Sequence, residues 1–212
     1  MHETRQQTTE VAVIERGDAR YPEAEMRLLG ESAPDRIFAI GNLDILSQPL
    51  LALFCSSKCP GSVILQTYDA VCALRDAGVT VISGFHSPIE KECLRLLLRG
   101  AQPIVICPAR SIERMRIPSE WRAPLAAGRL LILSPFDAKH LRVTAETAQY
   151  RNHFAAAFAS RVLIPYAAPG SKTEAFAREV GGQRACWTGL CAPDHCPLSW
   201  NAPARTALKG IC

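Results

Sequence analysis

Leu50-Leu51-Ala52-Leu53-Phe54-Cys55 is an uninterrupted apolar run, and Val79-Thr80-Val81-Ile82-Ser83 is its counterpart further along the chain. Between them, Ser62–Ala77 carries Val63, Ile64, Tyr68, Val71 and Leu74 on one face at helical spacing. Gly78 follows, where a residue tolerant of the left-handed conformation would end that helix. A strand that is apolar along its whole length must be covered on both faces. Two such strands joined by a helix are therefore read as parallel neighbours with a crossover packed on the sheet.

The same unit repeats outward from this stretch. Ile89–Leu98 reads as a helix closed by Gly100, Pro103–Cys107 as a third strand and Leu130–Leu133 as a fourth. Ala145–Ala159 reads as a helix, Val162–Tyr166 as a fifth strand, Ser171–Val180 as a helix and Arg184–Trp187 as a weak final strand. Crossovers of this kind are right-handed almost without exception, so helices accumulate on both sides of the sheet. The expected fold class is α/β: a Rossmann-like, doubly wound, mostly parallel sheet in three αβα layers. Residues 46–185 would form this core. Residues 1–45 read as a polar arm and lead-in containing Arg36–Gly41, and residues 186–212 as an extension rich in cysteine and proline. The connection 108–128 reads as irregular, with one short helix around Trp121.

The chain has 212 residues, of which 48% are hydrophobic and 21% charged, a composition ordinary for one soluble domain. The start, MHETRQQTTE, lacks the apolar centre of a secretory signal, and the apolar runs are far shorter than a membrane span. A cytoplasmic protein without a membrane partner is expected. Nine cysteines would suggest disulfides in a secreted chain, but Cys55, Cys72, Cys93 and Cys107 lie in apolar patterns and read as buried thiols. Cys186, Cys191, His195 and Cys196 have the spacing C-x4-C-x3-H-C, which is not a standard zinc pattern, and no metal is assigned to them. The net charge of +4 permits an anionic ligand without requiring one.

Open α/β sheets bind ligands at the carboxyl ends of their strands, which directs attention to the loops that follow them. The first is Ser56-Ser57-Lys58-Cys59-Pro60-Gly61-Ser62, with hydroxyls and an ammonium before a helix start. Such a start can hold phosphate, or Ser62 can merely cap the helix. The second is Ser83-Gly84-Phe85-His86-Ser87-Pro88-Ile89-Glu90: Gly84 permits close backbone approach, and Ser87 with Pro88 suits a helix entry. His86 is either a ligand contact or a solvated loop residue. After the fifth strand comes Ala167-Ala168-Pro169-Gly170-Ser171-Lys172-Thr173-Glu174, which lacks the Walker spacing but again brings hydroxyls and a lysine to a helix start. Arg151 and Asn152 are a polar pair within the Ala- and Phe-rich helix, facing either solvent or the crevice.

In this order and spacing the loops resemble the DNA-processing protein A (DprA/Smf) family over roughly residues 20–185. The family opens on a Tyr-Pro pair and a P-x-x-L-F/Y-x-x-G lead-in; here Tyr21-Pro22 precedes Pro34-Asp35-Arg36-Ile37-Phe38-Ala39-Ile40-Gly41. Its G-S/A-R loop with a following Pro/Ser/Gly turn is matched by Ser56-Ser57-Lys58-Cys59-Pro60-Gly61, with lysine for arginine, and its G-x-x-(I/V)-x-S-G-x-A-x-G-I-D segment is similar to Gly78–Glu90, with Pro88-Ile89-Glu90 for Gly-Ile-Asp. Its Arg-Asn pair corresponds to Arg151-Asn152, and its S-G-S-x-x-T-A element is echoed by Pro169-Gly170-Ser171-Lys172-Thr173-Glu174. No winged-helix extension is read after residue 190.

The resemblance implies single-stranded DNA bound, without catalysis and without a cofactor, along the strand-end edge. Ser56, Ser57, Lys58, Gly84, Ser87, Arg151, Asn152, Gly170, Ser171, Lys172 and Thr173 are the candidate phosphate contacts. It also implies a homodimer and a RecA-type recombinase as partner. Two other readings stay open. One is a nucleotide-binding enzyme or sensor related to the cytokinin-activating phosphoribohydrolases, with Glu90 or Glu174 as an acid/base or ribose-binding group; the other is a scaffold that keeps the fold without the ligand.

Overall fold

Strand length and helix ends decide how the chain is cut into elements. The structure, a computed structural model, describes residues 10–181 together with the backbone of 185–188. The first half runs β1 (Ala12–Glu15), α1 (Glu23–Met26), β2 (Arg36–Gly41), β3 (Leu50–Leu53), α2 (Gly61–Asp76), β4 (Thr80–Ser83) and α3 (Pro88–Leu98). The second half runs β5 (Ile104–Ile106), α4 (Ser119–Ala126), β6 (Leu130–Ser134), α5 (Ala145–Phe158), β7 (Ala159–Ile164), α6 (Lys172–Gly181) and β8 (Ala185–Thr188). Gly78 has φ +74° and follows α2 directly, as the left-handed end expected of it.

The strands form one eight-stranded sheet in the order β1-β2-β6-β5-β4-β3-β7-β8. From β6 to β8 every pairing is parallel, whereas β1–β2 and β2–β6 are antiparallel. The lead-in Arg36–Gly41 is thus part of the sheet itself. Ala12–Glu15, which the sequence pattern left within the polar arm, pairs with it as an edge strand. Four residues with one buried side chain carry too little periodicity to be read as a strand alone.

Side chains alternate between two cores. Leu51, Leu53, Val81, Ile104, Ile106 and Leu130 pack against Val71 and Leu74 of α2 and Cys93, Leu94 and Leu97 of α3, with Trp121 of α4 alongside. On the opposite face Ala52, Phe54, Ile82, Val105, Leu131 and Val162 meet Phe154 and Phe158 of α5, Phe176 of α6 and Met26 of α1. The three-layer αβα reading is therefore borne out. The run Ala155-Ala156-Ala157 lets α5 lie close on the sheet, while Phe154 and Phe158 meet edge to face at 5.2 Å. Truncating the fully buried Phe154 to alanine would cost about 3–5 kcal/mol.

From β3 the chain steps through β4, β5 and β6 in one direction, with α2 to α4 on one face. Helix α5 then crosses back on the other face and delivers β7 to the far side of β3. The strand order reverses between β3 and β7, and the carboxyl ends there form the crevice where such sheets take ligands. Among the described residues no helix is long and apolar enough to cross a membrane. Cys55, Cys93 and Cys107 are buried free thiols, as expected, and Cys72 is half-buried. The extension from 189 onward, with Cys191, His195 and Cys196, lies outside the described residues, as does the side chain of Cys186.

Candidate functional site

At the switch between β3 and β7 the first and last ligand loops are sewn together. Buried Ser56 donates its backbone N–H to the Tyr166 carbonyl (3.0 Å) and accepts the Ala168 N–H on its hydroxyl (3.0 Å). That hydroxyl also lies 3.4 Å from the Ser171 hydroxyl. Ser171 in turn accepts the Glu174 N–H at 3.2 Å, and the Glu174 carboxylate takes the Gly170 N–H (2.7 Å) and the Arg178 guanidinium (2.9 Å). The start of α6 is therefore occupied by the chain's own hydroxyl and carboxylate.

The start of α3 is closed in the same manner, more completely. Ser87 and Glu90 form a reciprocal capping box. One oxygen of the buried Glu90 carboxylate accepts the Cys55 N–H (2.9 Å), and the other accepts those of His86 (2.9 Å) and Ser87 (3.2 Å). Glu90 thus ties the first loop to the second and sits where an anion would otherwise meet these N–H groups. Helix α2 differs: its N-cap is Pro60, Ser62 does not cap it, and no side chain closes its first turn. Ser57 and Lys58, just before it, are exposed.

Beyond the second loop, Arg151 of α5 passes beneath β4 and β5. It is only 4% exposed, donates Nη1 to the Cys107 carbonyl (2.9 Å) and Nε to the Asn152 side-chain oxygen (2.9 Å). Burial holds its pKa below the ordinary guanidinium value, with the Glu90 carboxylate pulling the other way. Gly84 makes this path possible, because a Cβ there would stand 1.1 Å from Arg151 Nη1. The next residue, Phe85, is buried with φ +47°, a conformation that costs a bulky side chain of order 1–3 kcal/mol and is held here by the Ser83 hydroxyl on its N–H (3.2 Å).

A cavity of about 380 Å³ opens over this floor, bounded by α3, α4 and the loop after β5. Gly84, Arg151 and His86 line it together with Lys91, Arg95 and Arg110. Ser134 at the end of β6 fixes the Arg110 segment by donating to the Arg110 carbonyl (2.8 Å), as Ser83 donates to the Leu53 carbonyl (2.6 Å). Each of these serines also accepts the N–H of the phenylalanine two residues on, Phe136 and Phe85 respectively.

The sequence candidates thus fall into two groups. Ser56, Gly170 and Ser171 meet at the switch, with exposed Lys172 and half-buried Thr173 on the first turn of α6. Gly84, Arg151 and Asn152 meet under the cavity, and Ser87 stands between the groups through Glu90. Lys91, Arg95, Arg110 and Trp121 were not read as site residues. Lys91 and Arg95 share a face of α3 at i, i+4, and Arg110 follows a strand end, so the same rule applied to the third strand would have found Arg110.

Fold and site together define a Rossmann-like protein with a basic crevice along the carboxyl edge of its parallel strands. The family model described as DNA recombination-mediator protein A matches residues 12–180, and the chain belongs to that family. Its fold is similar to that of DNA processing protein A from Helicobacter pylori, known for its single-stranded DNA binding mode: 16% identity, TM-score 0.69, covering 97% of this chain and 91% of that one. DNA processing protein A from Streptococcus pneumoniae is similar at 14% identity and TM-score 0.61, covering 86% of this chain and 73% of that one. No curated protein sequence matches the chain.

Proposed function

We propose that this protein binds single-stranded DNA without chemically altering it, along the edge that runs from the β3–β7 switch to the cavity beyond Gly84. The observation that carries the reading is Arg151, a nearly buried guanidinium that opens, with Lys91, Arg95 and Arg110, into one cavity. Phosphate contact by cations and free N–H groups supplies sequence-independent affinity. Ser57, Lys58, Lys172 and Thr173 are the outward-facing contacts of the switch region, whereas Ser56, Ser87, Gly170 and Ser171 shape the loops from which those contacts project.

The two carboxylates read from the sequence as acid/base candidates support a binding role over a hydrolytic one. Glu90 accepts backbone N–H groups on both oxygens, and Glu174 is held by Gly170 and Arg178. Neither is poised over the cavity. Family membership supports the extension that the protein acts in the cytoplasm as a homodimer and passes its DNA to a RecA-type recombinase.

Fluorescence anisotropy of a labelled oligo-dT, titrated at two salt concentrations, tests the reading. Binding at micromolar or tighter affinity is expected, with a logarithmic salt slope near −0.7 per phosphate contacted. Binding that is absent, or indifferent to salt, refutes it. Sedimentation of the free and DNA-bound protein tests the homodimer.

A further inference from the structure

We infer that Cys55 and Cys59 join in a disulfide when a hydroperoxide oxidises the protein, and that the bond holds Lys58 back from the ligand edge. The thiol chemistry needs no ligand, whereas its effect on DNA rests on the single-strand reading.

The two cysteines bracket the exposed pair Ser57 and Lys58 in the first loop. Cys55, just past β3, follows Leu51 and Leu53 on the sheet face that packs against α2 and α3, and it is buried there. Half-buried Cys59 packs against the same cluster from the far end of the loop, and its side chain is in hydrogen-bonding contact with that of Cys55. The main chain on either side is pinned. The Cys55 N–H donates to Glu90 (2.9 Å) and the Ser56 N–H to the Tyr166 carbonyl (3.0 Å). The Pro60 carbonyl takes the N–H groups of Val63 (3.1 Å) and Ile64 (3.0 Å) as α2 begins. The fold thus keeps the two sulfurs together. Cys93 of α3 shares the cluster but interacts with Cys55 at longer range.

Exposure and charge divide the roles. Burial, reinforced by the neighbouring Cys59, pushes the Cys55 thiol up, so it stays protonated and shielded from an oxidant. Cys59 is partly open, between exposed Lys58 and a first turn of α2 that no side chain closes, the electropositive setting in which thiolates react. The Cys59 sulfur attacks the hydroperoxide: an S–O bond forms, the O–O bond breaks, and the leaving oxygen departs with the Cys59 proton. Cys59 is then a sulfenic acid. The Cys55 sulfur attacks that of Cys59, forming the S–S bond as the S–O bond breaks, and the released hydroxide takes the Cys55 proton away as water. The two thiols lose two electrons in all and the hydroperoxide gains them. A disulfide of about 2.05 Å is shorter than any thiol contact, so Cys59 is drawn toward the pinned Cys55 and Lys58 moves in with it.

The test treats the full chain with hydrogen peroxide, digests it without reductant, and titrates labelled oligo-dT before and after oxidation. Trypsin cuts between Lys58 and Cys59, which separates Cys55 in peptide 37–58 from Cys59 in peptide 59–75 unless the bond joins them. The joined pair is expected, with fragmentation placing the link on Cys59 rather than Cys72, and dithiothreitol should undo it. Oxidation should weaken oligo-dT binding a few-fold, as loss of Lys58 would, with the fold retained in melting curves, and should add nothing to Lys58→Ala. Cys59→Ser, at a half-buried position, should give no joined pair and keep its affinity under peroxide. Absence of the joined peptides, or Cys55 linked to Cys72 or Cys93 instead, overturns the inference. The joined pair with unchanged oligo-dT affinity overturns the hold on Lys58. The joined pair in a protein that binds no oligo-dT even when reduced supports the disulfide and removes the DNA reading.

Discussion

The loops at the β3–β7 switch and the cavity beyond Gly84 belong to one sheet edge, yet they treat their polar groups in opposite ways. At the switch, the chain satisfies itself: Ser87 and Glu90 close α3, Ser171 and Glu174 close α6, and Ser56 staples the loops together. Over β4 and β5, Lys91, Arg110 and part of the Arg151 guanidinium keep their hydrogen-bonding capacity toward the cavity. The difference teaches that a loop rich in Ser, Gly and Lys at a helix start is not by itself an anion site. Most of these residues hold the loops in shape, and the proposed ligand-facing charge comes from exposed Lys58 and Lys172 together with neighbours on α3, α5 and the β5–α4 loop.

Breaking the Glu90 hub should have the largest effect. Glu90→Ala leaves three backbone N–H groups without an acceptor in a buried place and should cost about 3 kcal/mol in urea unfolding, with oligonucleotide affinity falling in both regions together. Unchanged stability would mean that solvent reaches these groups and the switch is an open cradle after all. Gly84→Ala attacks the other region. The added methyl meets Arg151, so a loss of about 2 kcal/mol and about tenfold in oligo-dT affinity is expected. A variant that binds normally would show that Arg151 does not serve the ligand.

The two cores behind this edge have a pH signature. Burial pushes the Cys93 and Cys107 thiols from an ordinary 9.0 up to about 12. Their folded-state values are raised, so their contribution is complete below the ordinary thiol value and is lost as pH rises from there toward the folded one. At pH 10 each thiol should account for about 1 kcal/mol of lost stability. Melting temperature should fall between pH 8 and 11, and Cys107→Ala should flatten that fall while preserving the carbonyl that holds Arg151. The smallest effects belong to the exposed lysines. Lys58→Ala and Lys172→Ala should each weaken oligo-dT binding a few-fold and reduce the salt slope by roughly 0.7, with melting temperature unchanged.

Much of the architecture was legible in sequence because the central strands are apolar throughout and the helices between them have clear ends. Leu50–Leu53, Thr80–Ser83 and Leu130–Ser134 fall within or one residue beyond the runs read as strands, and the helix expected around Trp121 is Ser119–Ala126. Edge strand Ala12–Glu15 escaped notice because it buries only Ile14 fully, with Ala12 partly covered, and an edge strand needs just one covered face. Arg151 could be named from its motif, but its direction could not: with alanines around it, helical periodicity does not tell a solvated guanidinium from a buried one.

The chain's own pattern of apolar runs, glycines and caps determines that it folds as a doubly wound sheet and where its loops begin, since those are local consequences of burial and backbone geometry. Which loop donors remain free, that Gly84 makes room for Arg151, and that Trp121 and Arg110 line one cavity were decided only by the tertiary structure. Such relations join residues far apart in sequence. The reversal of strand order brings them to one edge, where hydrogen bonds already made within the chain decide which groups are left for a ligand.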